Sequence, residues 1–311
     1  RSCYTLLLIF LGLANSGCFV YNRIGVALLY EEAKLPVEQV IQDMPYRTDA
    51  EADDEKHRLD LFLPGESVGK GWPVAVFVHG GGWTNGDKDL TVAGADVYAN
   101  IGRFFAAHGI GVAVINYRLL PTVDWREQVG DVAQAVAWVQ EHIGAYGADS
   151  ESLFLMGYSA GAQLAARVAL DPGALGVYQT SADLCGVIAV SGAAYDIDDA
   201  RTYELGGDKE YLRERFGEEE GWEQAVSVVP FVRGDAPPFL MLYAEGEGPF
   251  MHRQSEVLHA ALEKAGAASE VVVVPGESHA RIVRTLSRDD KTAGPAMLDF
   301  IRTTPCRSML P

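Results

Sequence analysis

Six short runs in this chain are apolar almost without interruption: Val74–Val78, Gly111–Ile115, Leu153–Met156, Gly186–Val190, Phe239–Tyr243 and Val271–Val274. A strand with one face in water alternates apolar and polar side chains. An unbroken run requires cover on both faces, the situation of a parallel sheet packed between helices. The intervening segments supply that cover. Val97, Ile101, Phe104 and Phe105 form a stripe at spacings of three and four, ended by Gly109. A longer stripe (Val129, Val132, Ala133, Val136, Val139, Ile143) runs over about Asp124–Tyr146. Leu164, Ala165 and Val168 make a third, Val257 to Ala265 a fourth that stops at Gly266, and Met297, Phe300 and Ile301 a last one. These are the spacings of helices with one face toward a core.

Ahead of this series, Val40–Asp49 and His57–Leu63 read as a hairpin around an acidic turn. Leu59, Leu61 and Leu63 alternate with Arg58, Asp60 and Phe62, which predicts a half-buried edge pair. The whole predicts an α/β fold with a mostly parallel central sheet, helices on both faces and right-handed crossovers. One stretch, about 195–236, lacks a clean strand and carries the charged run Glu214–Glu223. It is expected to form small helices over the strand ends, as a solvated excursion or a short cap. Against 25 Lys and Arg stand 43 Asp and Glu, a formal net charge of −18. That balance excludes the basic footprint of a nucleic-acid binder.

The first residues stand apart. Behind Arg1, Tyr4–Ala14 is almost wholly apolar, too short to span a membrane and the right length for a signal-peptide core. Ser16-Gly17-Cys18 resembles the end of a bacterial lipoprotein signal, in which the cysteine becomes the lipidated first residue, although Asn15 stands where leucine is usual. Residues 1–17 are therefore expected to be a signal peptide, leaving 18–311 as a single domain. The protein would be exported, either periplasmic or anchored to the membrane through Cys18. A plain secretory signal or a buried helix is the alternative. Whether Cys185 and Cys306 pair is not legible in the sequence.

Two motifs carry chemistry. Gly157-Tyr158-Ser159-Ala160-Gly161 follows one buried strand and opens a helix, the context in which G-x-S-x-G holds a serine on a strained turn with its Oγ exposed. The helix N-terminus behind it offers free N–H groups to a developing oxyanion. His79-Gly80-Gly81-Gly82-Trp83 follows an earlier buried strand, and consecutive glycines there let backbone N–H groups turn into a cavity. A nucleophilic serine needs a base and an orienting acid, in the order Ser, Asp/Glu, His. Of seven histidines, His279 alone leaves the C-terminal end of a strand after the serine. For the acid the choice is Glu247, with Glu245 as the alternative, in the turn after Phe239–Tyr243. Trp83, Tyr158, Tyr195 and Trp222 are the candidate aromatic walls of a pocket, Trp83 and Tyr158 the preferred ones. Asp87, Arg118 and Asp131 read as structural polar contacts.

The ordered series His79–Trp83 with Gly86-Asp87-Lys88, Asn116-Tyr117-Arg118-Leu119, Trp125 through Val139, and Gly157–Gly161 is similar to a known group. It resembles the α/β-hydrolase carboxylesterases of the kynurenine formamidase, isoprenylcysteine methylesterase and bacterial feruloyl/acetyl esterase (BD-FAE-like) group. The likeness runs over about 38–303 and is strongest over 72–192. It implies Ser159 as nucleophile, Glu247 and His279 completing a triad, and the N–H groups of Gly81, Gly82 and Ala160 as oxyanion donors. The group usually carries aspartate where this chain has Glu247. The implied activity is hydrolysis of a small-molecule ester, short-acyl or aryl/sugar, with no metal or organic cofactor. The alternatives are a formamidase or amidase using the same triad, and a binding protein that keeps the fold without catalysis.

Overall fold

The computed structural model describes residues 32–36, 39–92, 94–176, 183–217, 219–289 and 291–306. Residues 1–17, read above as a signal peptide, and Cys18 lie outside them. The apolar runs become strands: β1 (Val40–Pro45), β2 (Arg58–Phe62), β3 (Trp72–Val78), β4 (Gly111–Ile115), β5 (Ala148–Tyr158), β6 (Gly186–Val190), β7 (Phe239–Ala244) and β8 (Ser269–Val274). They form one eight-stranded sheet in the order β1-β2-β4-β3-β5-β6-β7-β8. Every pairing from β4 to β8 is parallel, while β1 with β2 and β2 with β4 are antiparallel.

The reason for the unbroken runs is visible in the side chains. Val74, Val76 and Val78 of β3 enter one core, and Ala75 and Phe77 enter the other. The same alternation holds along β4, β5, β6 and β7. On the first face lie α2 (Trp125–His142), α3 (Ala160–Leu170) and α8 (Pro249–Ala265); on the second lie α1 (Val97–Ala107) and α10 (Ala293–Thr303). Between α3 and α8 come α4 (Pro172–Gly176) and the short helices of the insertion: α5 (Ala200–Glu204), α6 (Lys209–Phe216) and α7 (Trp222–Val226). The seven-residue α9 (His279–Thr285) follows β8. Helix α2 opens on a capping box, Asp124 accepting from the N–H groups of Arg126 and Glu127 while Glu127 accepts from that of Asp124.

Two expectations need correction. The β1–β2 hairpin does form the edge of the sheet, but β2 itself is buried on both faces instead of one, with Leu59 and Leu61 in one core and Phe62 in the other. The polar position in its alternation, Asp60, is 2% exposed and pairs with Lys88 Nζ at 3.0 Å. Lys88 is itself 2% exposed and also meets the exposed carboxylates of Asp43 and Asp89, each at 2.8 Å, so a buried cation takes the place of solvent at Asp60. Conversely, the unbroken run Val271–Val274 predicts burial on both faces. It forms the edge strand β8, and Val273 is 47% exposed.

Cys185, just before β6, and Cys306, just after α10, form a disulfide across 121 residues. The bond ties the last helix to the centre of the sheet. Closing so long a loop removes chain entropy from the unfolded state. Replacing both cysteines by alanine is therefore expected to cost about 2–5 kcal/mol, read as a lower denaturant midpoint. An unchanged midpoint would mean that the crosslink contributes nothing to stability.

Candidate active site

The parallel strands end on one side of the sheet, and the loops leaving them build the site. Ser159 stands alone between the last residue of β5 and the first of α3, at φ 55° and ψ −120°. Its N–H donates to Val190 O at 2.9 Å, which fastens the turn to β6. Gly161 makes the sharpness possible, because a Cβ there would collide with the carbonyls of Val78 and His79 at the end of β3.

The other two members of the chain come from β7 and β8. Ser159 Oγ lies 3.0 Å from His279 Nε2, and His279 Nδ1 lies 2.8 Å from Glu247 Oε1. The Glu247 side chain is 1% exposed and that of His279 is 41% exposed, so the carboxylate is shielded from water while the imidazole is open to it. The two loops are stitched together: Glu245 N donates to Val274 O, and Gly246 N to Glu277 O, both at 2.9 Å. Glu245, the alternative acid, instead accepts from Gly276 N at 2.9 Å and is exposed. The structure thus brings Ser159, His279 and Glu247 together and leaves Glu245 as a loop tie.

The glycine loop lies beside the serine. Gly81 has φ 130°, and a Cβ there would run into the carbonyl of Asn85. His79 is fully buried and stacks on Tyr117, with ring centroids 4.4 Å apart. Its Nδ1 donates to Gly80 O at 2.7 Å, which leaves Nε2 as the bare nitrogen of a neutral ring. Burial lowers the His79 pKa to about 4.

A cavity of about 560 Å³ opens over Ser159 and His279. Trp83 lines it, together with Tyr203, Tyr211, Leu212, Phe250 and Met251. Tyr158 does not. Its hydroxyl donates to His279 O at 2.7 Å and its ring lies 5.2 Å from the imidazole, so it supports His279 without lining the cavity. Tyr195 and Trp222 are packed into the core at 0% and 7% exposure. Sequence reasoning missed Tyr203, Tyr211 and Phe250. Phe250, three residues past the acid, was the one with a positional signal; the insertion helices are too short to show a periodic face. Asp196 and Asp208 also line the cavity, and among the described residues no Lys or Arg does. Burial, with Asp199 and Asp198 beside it, pushes the Asp196 carboxyl up. Asp87, Arg118 and Asp131 lie outside the cavity, paired with Lys56, Asp131 and His57.

A hydrogen-bonded Ser–His–Glu chain on loops at the C-terminal edge of this sheet, with the serine on a strand-to-helix elbow, places the molecule in the α/β-hydrolase class. Within it, the chain belongs to the BD-FAE family, whose model matches residues 59–262. It is 30% identical over 269 residues to Esterase LipQ of Mycobacterium tuberculosis, covering 83% of this chain and 61% of that protein. It is 38% identical over 136 residues to the probable isoprenylcysteine alpha-carbonyl methylesterase ICME of Oryza sativa subsp. japonica, covering 44% and 30%. The chain therefore spans less than two thirds of these curated relatives. In fold it is similar to a truncated carbohydrate esterase from gut microbiota, with a TM-score of 0.72 at 21% identity, covering 87% of this chain and 99% of that one.

The depressed His79 pKa makes a prediction about acid stability. The unfolded chain takes up a proton near pH 6.5, the folded one only near 4, so stability falls as the pH drops between those values and not below them. This residue alone is expected to contribute about 3 kcal/mol of loss across that window. In an NMR titration one imidazole should shift only near pH 4; all seven titrating above pH 5 would contradict it.

Proposed function

We propose that this chain is a serine carboxylesterase that cleaves short-acyl or aryl/sugar esters through an acyl-enzyme. One observation carries the reading: the unbroken hydrogen-bond chain Ser159 Oγ–His279–Glu247 at the floor of an apolar cavity. His279 Nε2 takes the proton of Ser159 as Oγ attacks the ester carbonyl, and buried Glu247 steadies the imidazolium through Nδ1–H. The N–H groups of Gly81, Gly82 and Ala160 hold the oxyanion, Ala160 offering a first-turn N–H that has no acceptor within its helix. The intermediate collapses as His279 protonates the departing alcohol. Water, activated by the same imidazole, then releases the acid and frees Ser159. Beyond substrate and water, each step uses groups of the chain itself.

The names of its relatives, an esterase and a methylesterase, support ester cleavage, and so does the cavity. Its carboxylates and aromatic walls suit an ester that carries no negative charge. The Cys185–Cys306 disulfide supports the exported location read from residues 1–17, because such bonds persist in oxidising compartments.

The test is hydrolysis of p-nitrophenyl acetate and butyrate by residues 19–311. Ser159→Ala is expected to abolish turnover and fluorophosphonate labelling together. Labelling without turnover would favour a formamide or another narrow substrate; absence of labelling would favour a binding protein. Glu247→Gln keeps the shape of the acid but removes its charge, and is expected to lower kcat by about 10⁴ with the fold intact. Near-normal kcat in that variant would remove Glu247 from the triad.

A further inference from the structure

The backbone of the glycine loop is fastened carbonyl by carbonyl. His79 O accepts from the Tyr117 hydroxyl at 3.0 Å and Gly80 O from His79 Nδ1 at 2.7 Å. Gly81 O accepts from Asn85 N at 3.0 Å, and Trp83 O from Leu120 N at 2.9 Å and Gln128 Nε2 at 2.8 Å. These donors come from the loop itself, from the segment after β4 or from α2, and none belongs to the insertion. Gly82 O is different. Its donor is Arg215 Nε, at 3.3 Å, on α6 of the insertion.

Arg215 is itself held in place. Its guanidinium lies 3.3 Å from the centre of the Tyr211 ring, and Nη1 donates to Tyr211 O at 2.8 Å. The Tyr211 hydroxyl reaches over Gly82, where a Cβ would stand 2.5 Å from it. Phe216, the one buried residue of α6, packs edge-on against Trp83 with ring centroids 4.9 Å apart. The helix therefore grips residues 82 and 83 at three points. Gly206 and Gly217, both at φ 99°, bracket it.

We infer that Arg215 is a positioning residue for the oxyanion hole, and that the hole is complete only with α6 docked on the glycine loop. The inference rests on the reading of Ser159 as nucleophile and Gly82 N–H as an oxyanion donor. That N–H belongs to the peptide plane between Gly81 and Gly82, anchored through Asn85. The plane on the other side of the same Cα, between Gly82 and Trp83, is anchored through Arg215. A glycine at φ 60° joins them, with no side chain to resist rotation, so both planes must be held for the N–H to keep its aim. An oxyanion donor acts only when it is fixed in advance of the reaction.

The experiment compares wild type, Arg215→Met and Arg215→Lys on p-nitrophenyl acetate, with melting temperature and the rate of fluorophosphonate labelling measured on the same preparations. Arg215→Met keeps the length of the side chain and removes the donor. It is expected to lower kcat and the labelling rate by about ten- to a hundredfold, with KM changed less than about threefold, because the loss falls on the transition state. Arg215→Lys, which keeps a cationic donor, should recover much of that loss. Should Arg215→Met unfold, Tyr211→Leu removes the platform beneath the guanidinium and is expected to act in the same direction. Ser159-dependent turnover at the wild-type rate in folded Arg215→Met would overturn the role of Arg215 and leave the esterase reading standing. A raised KM at unchanged kcat would also overturn it, placing Arg215 in substrate binding. Turnover that survives Ser159→Ala would overturn the reading of the site, and this role with it.

Discussion

Ser159 occupies a backbone conformation, φ 55° and ψ −120°, that an L-residue adopts at a cost of about 1–3 kcal/mol. It stays there because both neighbours are committed elsewhere. Tyr158 ends β5, in register with Val190 of β6, and Ala160 begins a helix whose eleven residues are all buried. Neither side can relax without dismantling core. The rest of the site is arranged around that fixed point. The end of β3 comes so close to the elbow that Gly161 can carry no side chain, and this contact brings the glycine loop beside the serine.

Glu247 and His279 reach the serine by a different principle. They sit on two separate loops, and precision comes from ties between those loops rather than from one rigid element. Glu245 N to Val274 O and Gly246 N to Glu277 O make the β7 and β8 loops one unit. Glu247 N folds back on Ala244 O at 3.1 Å, a tight turn that leaves room for the additional methylene of glutamate. The 2.8 Å bond to His279 shows the length absorbed. Tyr158 joins the two halves, sitting beside the serine in sequence and donating to the carbonyl of His279.

The strands were legible because two-sided burial leaves only apolar residues, and this logic failed where burial was met by charge or was missing. Asp60 looked like a solvent position because a lone carboxylate usually is one; Lys88, distant in sequence, makes it a core position. Val271–Val274 looked central because valines fit a sheet, and nothing local says that no strand lies beyond them. The serine and histidine were legible from their place after buried strands. The acid was left between Glu245 and Glu247, because their different orientations depend on backbone ties to another loop. The aromatic walls were the least legible. Tyr195 and Tyr203 belong to the same insertion, yet one is core and the other lines the cavity, a difference set by how short helices dock on the sheet.

The motif residues outside the triad find their explanation in the same geometry. Tyr117 donates to His79 O from its buried place on the loop after β4. Next to it, Asn116 accepts from Lys88 N at 2.6 Å and donates to Asp87 at 3.0 Å, while Tyr46 holds its carbonyl at 2.8 Å. Arg118 forms a two-toothed pair with Asp131, whose other partner is buried His57. None of these residues lines the cavity, and His57, Lys88, Asn116 and Asp131 are buried. Tyr117 and Asn116 bind the segment 79–88 to the loop after β4. Buried polar groups confer rigidity only when every member is paired, so the network behaves as a unit, and losing one partner strands the others. A loop of three glycines has no stiffness of its own. In this fold its carbonyls are held from outside the glycines, by the Tyr117 hydroxyl, the Leu120 N–H and the Gln128 side-chain amide.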